Sequence, residues 1–399
     1  MSDAVTSASY DLAATRRALP ILNEWTYLNI GTVGIMAEPV LARHLAYIAD
    51  HERGGHATQS RATEGYERAR RTLATLLNVA PSDIALNRNA TDGINWVAAR
   101  FPLRAGDEVI TSTEEHPAMI YPWLAACERA GARLRFTRLS ADLDQLLDGI
   151  RAVLTDRTRV VAISQVSCET GTRAPVERLR EVVGPNVVIL VDASQSVGQF
   201  PVDIPSLNAD FVIGNGHKWL AGPKGSGFAW FDPQKIDLVP PAYFGDGAIE
   251  PHWSRAYYQT DPPPALHFAG DASRFEYGTR AWHTYEALAD AIEYQAALGW
   301  DAIFAHVDTI STRMKEALNE VPGVDVVTPM EWRDSSGIVT FTIAGLSGID
   351  ASRELWESYR IVQRRVEAPS AVRVSCTYFT NDEDLTRLVE AVDRIARGR

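Results

Sequence analysis

From about residue 64 to 230 the chain alternates two hydrophobic periods, and this alternation restricts the fold more than any other feature. Helical patterns such as EGYERARRTLATLLNV, DGINWVAARF and PAMIYPWLAACERAGA lead into short apolar runs: DIALN, DEVITS, RLRFTRL, RVVAIS, VVILVD, DFVIGN and SGFAWF. Short β-rich runs set between amphipathic helices predict an α/β domain with a mostly parallel sheet. Polar groups recur just after these runs, at Asn89 to Asp92, His116, Asp192 to Gln195 and Asn215 to Lys218. Open α/β sheets bind their ligands beyond the carboxyl ends of the strands, so these groups are the first candidates for a site.

Beyond residue 231 the pattern changes. Residues 231–280 are rich in Pro, Gly and aromatics and read as ordered loop. A long helical pattern follows, broken near Gly299; then GIVTFTIAG and AVRVSC read as strands and DEDLTRLVEAVDRIAR as a last helix with an acidic start. A second, α+β layer is expected there. With 399 residues the chain fits one large domain and a smaller one.

Composition excludes several classes. Hydrophobic residues at 46% and charged residues at 23% are globular averages, not those of a disordered chain. A net charge of −12 argues against a nucleic-acid backbone or an anionic membrane as partner, while leaving room for a local basic pocket. Cys127, Cys168 and Cys376 are far apart, odd in number and form no CxxC, which excludes a disulfide framework or a zinc ribbon; no metal is expected. No signal-peptide pattern or spanning apolar run is present, and a soluble cytoplasmic protein is expected.

The sharpest segment is VDASQSVGQF followed by DFVIGNGHKWLAGPKGSGFAWF. Asp192 closes an apolar run, where a carboxylate suits a protonated ring nitrogen. Lys218 lies in a Gly-rich turn beside His217, and a lysine held in a partly desolvated turn is the residue type that forms a Schiff base. Either alone is ordinary, since strand-end Asp residues commonly cap helices. In this order they resemble the class V aminotransferase group of fold-type I pyridoxal-phosphate (PLP) enzymes, which includes cysteine desulfurases, isopenicillin N epimerase and the cysteine/cystine C–S lyases. The likeness runs from LPILNEWTYLNIGTVGI to the last helix; EEHPAMI, RFEYGT and RRVEAPSAVRVSC point to the C–S lyase branch.

The resemblance implies a large PLP-binding domain over 22–280, with a mostly parallel seven-stranded sheet. It implies a small α+β domain built from 1–21 and 281–399. Lys218 would hold PLP and later shuttle the α-proton. Asp192 would pair with the pyridine nitrogen, Gln195 would bond the ring's phenolic oxygen, and His116 would stack on the ring. Thr91 and Asp92 match a turn whose N–H groups receive the phosphate, and Asn215 and His217 would add contacts to it. Thr279 would reach the phosphate of the neighbouring subunit in a homodimer. Simpler roles compete: Asp92 before Gly as a helix start, His116 before Pro117 as a cap, Thr279 as turn chemistry.

For an amino-acid substrate, Arg373 matches the family's carboxylate-binding arginine, and Arg364 or Arg365 would supply a second. Arg255, His51, His56 and Arg61 are candidates for the entrance, with solvated surface roles as the alternative. Tyr243, Phe244, Trp253, Tyr257 and Tyr258 would wall the substrate or pack a dimer. Two departures from the family stand out. The stretch ESYRIVQRRVEAPSA lacks the cysteine on which desulfurases carry sulfur, and Cys168 stands where many relatives have Asn. Cys376 reads as a packed thiol. The expected reaction is β-elimination from cystine or an S-substituted cysteine. Heavy use of Ala and Arg fits a GC-rich bacterial genome, where a natural-product S-conjugate is a plausible substrate. The competing expectations are an epimerase or decarboxylating oxidase of a specialised amino acid, and a non-enzymatic scaffold on the same fold.

Overall fold

The computed structural model describes residues 10–398 except 246, 251–258, 263, 264 and 266. The chain opens with α1 (Leu12–Arg17), a short strand β1 (Thr26–Tyr27), α2 (Glu38–Gly54) and α3 (Gln59–Leu77). In α3 the buried residues Ala62, Tyr66, Ala69, Leu73 and Leu77 fall three to four apart, which is one helical face.

Seven strands then build the central sheet: β2 (Ile84–Asn87), β3 (Glu108–Ser112), β4 (Arg133–Thr137), β5 (Thr158–Ser164), β6 (Val188–Asp192), β7 (Phe211–Asn215) and β8 (Gly227–Phe231). Their order is β2-β8-β7-β6-β5-β3-β4. The pairings β3–β4, β3–β5, β5–β6 and β6–β7 are parallel, and β8 alone runs against its neighbours β2 and β7. Every apolar run read as a strand is one. The runs β2, β3, β6, β7 and β8 are buried throughout, as strands covered on both faces must be. Their connections include α4 (Ala90–Arg100), α5 (Pro117–Ala130), α6 (Leu143–Val153) and α7 (Arg180–Val183).

The Pro-rich stretch contains one short antiparallel pair, β9 (Ile249–Glu250) with β10 (His267–Phe268). The long helical pattern is two helices, α8 (Trp282–Leu298) and α9 (Trp300–Asn319), parted at Gly299, whose φ of 94° favours glycine. A second sheet takes the order β11-β12-β15-β14, from β11 (Val324–Val326), β12 (Ile338–Ile343), β14 (Arg364–Val366) and β15 (Ala371–Ser375). Between them lie α10 (Gly348–Tyr359) and β13 (Ile361–Val362), and α11 (Asp382–Ala396) ends the chain behind an Asn381/Asp384 capping box. The two ends of the chain meet: β13 pairs with β1, and Arg16 bridges to Asp384 at 2.6 Å. Among the described residues no helix is long and apolar enough to cross a membrane.

A buried ion pair fixes the turn after the Pro-rich stretch. Arg70 on α3 bonds both oxygens of Glu276, at 2.8 and 3.0 Å, and Glu276 also accepts the Leu86 N–H at 2.6 Å. Removing one partner of such a pair strands a buried charge. Glu276→Ala should therefore cost about 3 kcal/mol, the low end of the usual range, because Glu67 still reaches Arg70. A fall in the urea midpoint at unchanged m-value is the expected reading; an unchanged midpoint contradicts it.

Candidate active site

The polar residues singled out after the strands converge at the carboxyl edge of the central sheet. Asp192 ends β6 and is buried; one oxygen accepts the Ser194 N–H at 2.8 Å, and its other oxygen has no partner among the described residues. Asn215 ends β7, and its amide braces two elements, accepting from the Ala90 N–H at 2.9 Å and donating to Ser194 Oγ at 2.9 Å. That leaves one N–H of the amide uncommitted.

Lys218 follows in a tight loop. The Gly216 N–H donates to Ser226 O and the Gly222 N–H to Gly216 O, and a Cβ on Gly216 would lie 2.4 Å from Ser226 Oγ. The Lys218 amine has no hydrogen-bond partner among the described residues. Burial lowers its pKa, Arg373 and Arg364 add to that, and Asp192 opposes it. His217 is pushed down to about 4, first by burial and then by Lys218, so its ring is neutral. Its Nδ1 is buried without a partner.

Helix α4 starts at the same edge. The Asn89 side chain caps it by accepting the Asp92 N–H at 3.0 Å, and Asn215 takes the Ala90 N–H. The N–H of Thr91 between them stays open, where the helix dipole favours an anion. The Asp92 carboxylate itself is clamped by Arg88 at 2.7 Å. Exposed Thr279 shares a cavity of about 260 Å³ with Asp92, Arg88 and Gly225.

His116 does cap α5: its Nδ1 accepts the Ala118 N–H at 3.1 Å, which puts the proton of the neutral ring on Nε2. Burial lowers its pKa, then Lys218; Asp192, Arg364 and Glu169 also act on it. The cap and the site role are thus compatible. Beneath it, buried Glu115 accepts from Ser112 Oγ at 2.6 Å, Ser164 N at 2.9 Å and Ser164 Oγ at 2.5 Å.

The arginine question is decided by strand register. Arg364 pairs with Arg373 across β14 and β15, so both face one side, while Arg365 points to solvent beside Glu367. Arg373 is wholly buried. It donates to Thr32 Oγ1 at 2.6 Å, to Asn29 Oδ1 at 3.4 Å and to Cys168 O; its Nε has no partner, and among the described residues no carboxylate is within ion-pair distance. Burial, then Arg364 beside it, pull this guanidinium down to about 10.

The loop Asn29–Gly34 enters the site, although its residues carried no expectation. Gly31 O accepts from Gln195 Nε2 at 2.8 Å, while Gln195 Oε1 accepts from Trp219 Nε1 at 2.8 Å. The Gly34 N–H donates to His217 O at 2.6 Å, and a Cβ there would sit 2.5 Å from Lys218 O. The Gly-rich NIGTVG string was the available signal. Glu115, Ser164 and Glu169 gave none.

Other candidates lie elsewhere. His51 bonds Glu286 on α8 at 2.9 Å, Arg61 pairs with Asp50 at 2.9 Å, and His56 is exposed. Tyr243 stacks near Tyr277 and Phe244 near Phe268. Trp253, Arg255, Tyr257 and Tyr258 lie outside the described residues.

The sequence pattern of the family Aminotransferase class-V matches residues 37–388. The chain belongs to this family. It is 30% identical to the probable cysteine desulfurase 2 of Mycobacterium leprae (strain TN), over 96% of each chain. It is similar to a solved complex of the cystine C–S lyase C-DES with its product cysteine persulfide: TM-score 0.86, 27% identity, 94% of this chain and 99% of that one. A C-DES mutant with glycine covalently linked to the PLP cofactor gives TM-score 0.87, 26% identity and coverage of 95% and 98%. As a class V aminotransferase, the chain is a PLP-dependent enzyme with a fold-type I architecture.

The residues fit that cofactor. An unpartnered lysine amine, a free Asp192 oxygen, the open Thr91 N–H and the orphaned His217 Nδ1 lie along one sheet edge. They match an aldehyde, a ring nitrogen and a phosphate.

Glu115 yields a pH test. Burial lifts its carboxyl to about 7. Its folded pKa is raised above the unfolded value, so the folded state holds an extra proton between them. Stability should fall as pH rises from about 4.5 to about 7 and then level off. Urea midpoints across that range should show a slope in the wild type that Glu115→Gln reduces, the rest coming from groups such as Glu286, which burial also lifts to about 7; equal slopes would contradict the assignment.

Proposed function

We propose that this enzyme is a C–S β-lyase acting on cystine or an S-substituted cysteine. With cystine and water it would yield cysteine persulfide, pyruvate and ammonia. The observation that carries this is a pair of guanidiniums, Arg364 and Arg373, on one face beside an unpartnered Lys218. Such a set accepts an α-carboxylate and presents a base to the α-carbon. Burial pushes Cys168 and Cys376 up to about 12 and Cys127 up to about 11, so none offers a thiolate at neutral pH. Sulfur would then leave on the substrate's own leaving group rather than on an enzyme thiol.

Bound PLP supplies the electron sink for the pair left when Cα–H breaks. Lys218 Nζ would take that proton, and burial, which lowers its pKa, favours the amine as a base. The free oxygen of Asp192 would hold the ring nitrogen's proton. Gln195 has a second amide N–H for the phenolic oxygen. Thr91, Asp92, Asn215 and His217 would hold the phosphate, and His116 would face the ring, its Nε2–H donating a hydrogen bond to the departing sulfur, which leaves as the anion. Arg373 would bind the carboxylate through Nε and one Nη, with Arg364 as second donor. Holding the carboxylate this firmly disfavours its loss, which weighs against a decarboxylating oxidase. The same reading includes the division into 22–280 and the two flanking segments. It also includes a homodimer in which Thr279 reaches the partner's phosphate, and a cytoplasmic setting.

Incubation with cystine and a panel of S-substituted cysteines should release pyruvate and ammonia, and Lys218→Ala should release none. Arg373→Ala should raise KM about tenfold to a hundredfold, the range for a charge-assisted hydrogen bond. Cys376→Ala should leave turnover unchanged. Absence of pyruvate from every substrate, with the cofactor absorbance still responding to amino acids, would point instead to epimerisation or decarboxylation.

A further inference from the structure

One carboxylate in the site has no part in the chemistry above. Glu169 follows Cys168, and its backbone is fixed on both sides: its N–H donates to Ser167 Oγ at 3.1 Å and its carbonyl accepts from Thr340 Oγ1 at 2.6 Å. Its side chain accepts a hydrogen bond from the Cys168 thiol. Oε1 lies 3.4 Å from Cys168 Sγ and 3.6 Å from Arg364 Nη2. The last distance exceeds the roughly 2.7–2.9 Å of a charge-assisted hydrogen bond, so this is a loose ion pair. Both members are part-exposed, Arg364 at 31% and Glu169 at 21%.

The neighbouring guanidinium is the opposite case. Arg373 shares a face with Arg364, yet among the described residues no carboxylate is within ion-pair distance of it. Two cations side by side repel, and a nearby anion offsets that repulsion. Glu169 is that anion, and it is engaged with the outer arginine. A substrate carboxylate that uses both arginines would compete with Glu169 for the charge of Arg364.

We propose that Glu169 is a positioning residue that acts through Arg364, as a built-in competitor that sets how tightly the site holds an α-carboxylate. This rests on the reading of Arg364 and Arg373 as the carboxylate clamp. Competition of this kind acts on ground and transition states alike, so it raises KM and leaves kcat unchanged. Its size is bounded by the pair it breaks. A part-exposed ion pair is worth up to about fivefold in an equilibrium constant.

The test uses holoenzyme and follows cofactor absorbance during titration with glycine, a ligand with an α-carboxylate and no side chain. Methylamine, which lacks the carboxylate, is the control. Glu169→Gln should tighten glycine about threefold to fivefold and leave methylamine within twofold. Arg364→Gln should weaken glycine, and in that background Glu169→Gln should no longer tighten it. For any substrate that turns over, Glu169→Gln should lower KM by the same factor at constant kcat. Cofactor absorbance per chain reports whether each variant is loaded. Equal or weaker glycine binding by Glu169→Gln overturns the proposal. So does tightening that persists without Arg364, or that extends to methylamine. A wild type that does not respond to glycine overturns the clamp as well. No step of the titration needs turnover, so a failed pyruvate assay and a failed competition remain distinguishable.

Discussion

The guanidinium of Arg373 holds the site together. It sits wholly buried on β15 and reaches two other segments: the N-terminal loop, at Thr32 and Asn29, and Cys168 after β5. A buried cation without a counter-ion is expensive unless its donors are satisfied. Here neutral oxygens meet most of them, which binds the second sheet to the central one and leaves Nε uncommitted.

Burial and charge also meet around Lys218. Its amine is desolvated and faces a cationic surplus from Arg364 and Arg373, while Asp192 pulls the other way. Asp192 is held by a single backbone N–H, Asn215 braces α4 against the turn after β6, and Gln195 ties the N-terminal loop to Trp219. Asn215 and Gln195 thus stand at or just past a strand end and are tied to other segments of the chain. Rigid placement of this kind is what chemistry at a bound cofactor requires.

Most strands of the central sheet were legible because fully buried strands must be apolar runs, the edge strand β4 because its residues alternate, and the helices between them because they keep a 3.6-residue period. Lys218 and Asp192 were legible because the chemistry restricts residue type and the sheet restricts position. Glu115, Glu169, Asn29 and Thr32 were not. Their roles come from contacts between segments far apart in the chain, such as Glu115 with Ser164 and Thr32 with Arg373. No local pattern marks an Asn or a Glu that will meet its partner only after folding. Arg364 and Arg365 are adjacent and chemically alike, so only the pairing of Arg364 with Arg373 separates them.

By itself, then, the sequence determined the layers of the fold, the family and the lysine and aspartate at the centre of the site, since periodicity and residue chemistry are local properties. Tertiary structure decided which arginine shares a face with Arg373, which backbone N–H at the start of α4 is left without a partner among the described residues, and that Glu169 stands beside Arg364. Those depend on strand register and on loops brought together over more than three hundred residues of chain, as between Thr32 and Arg373.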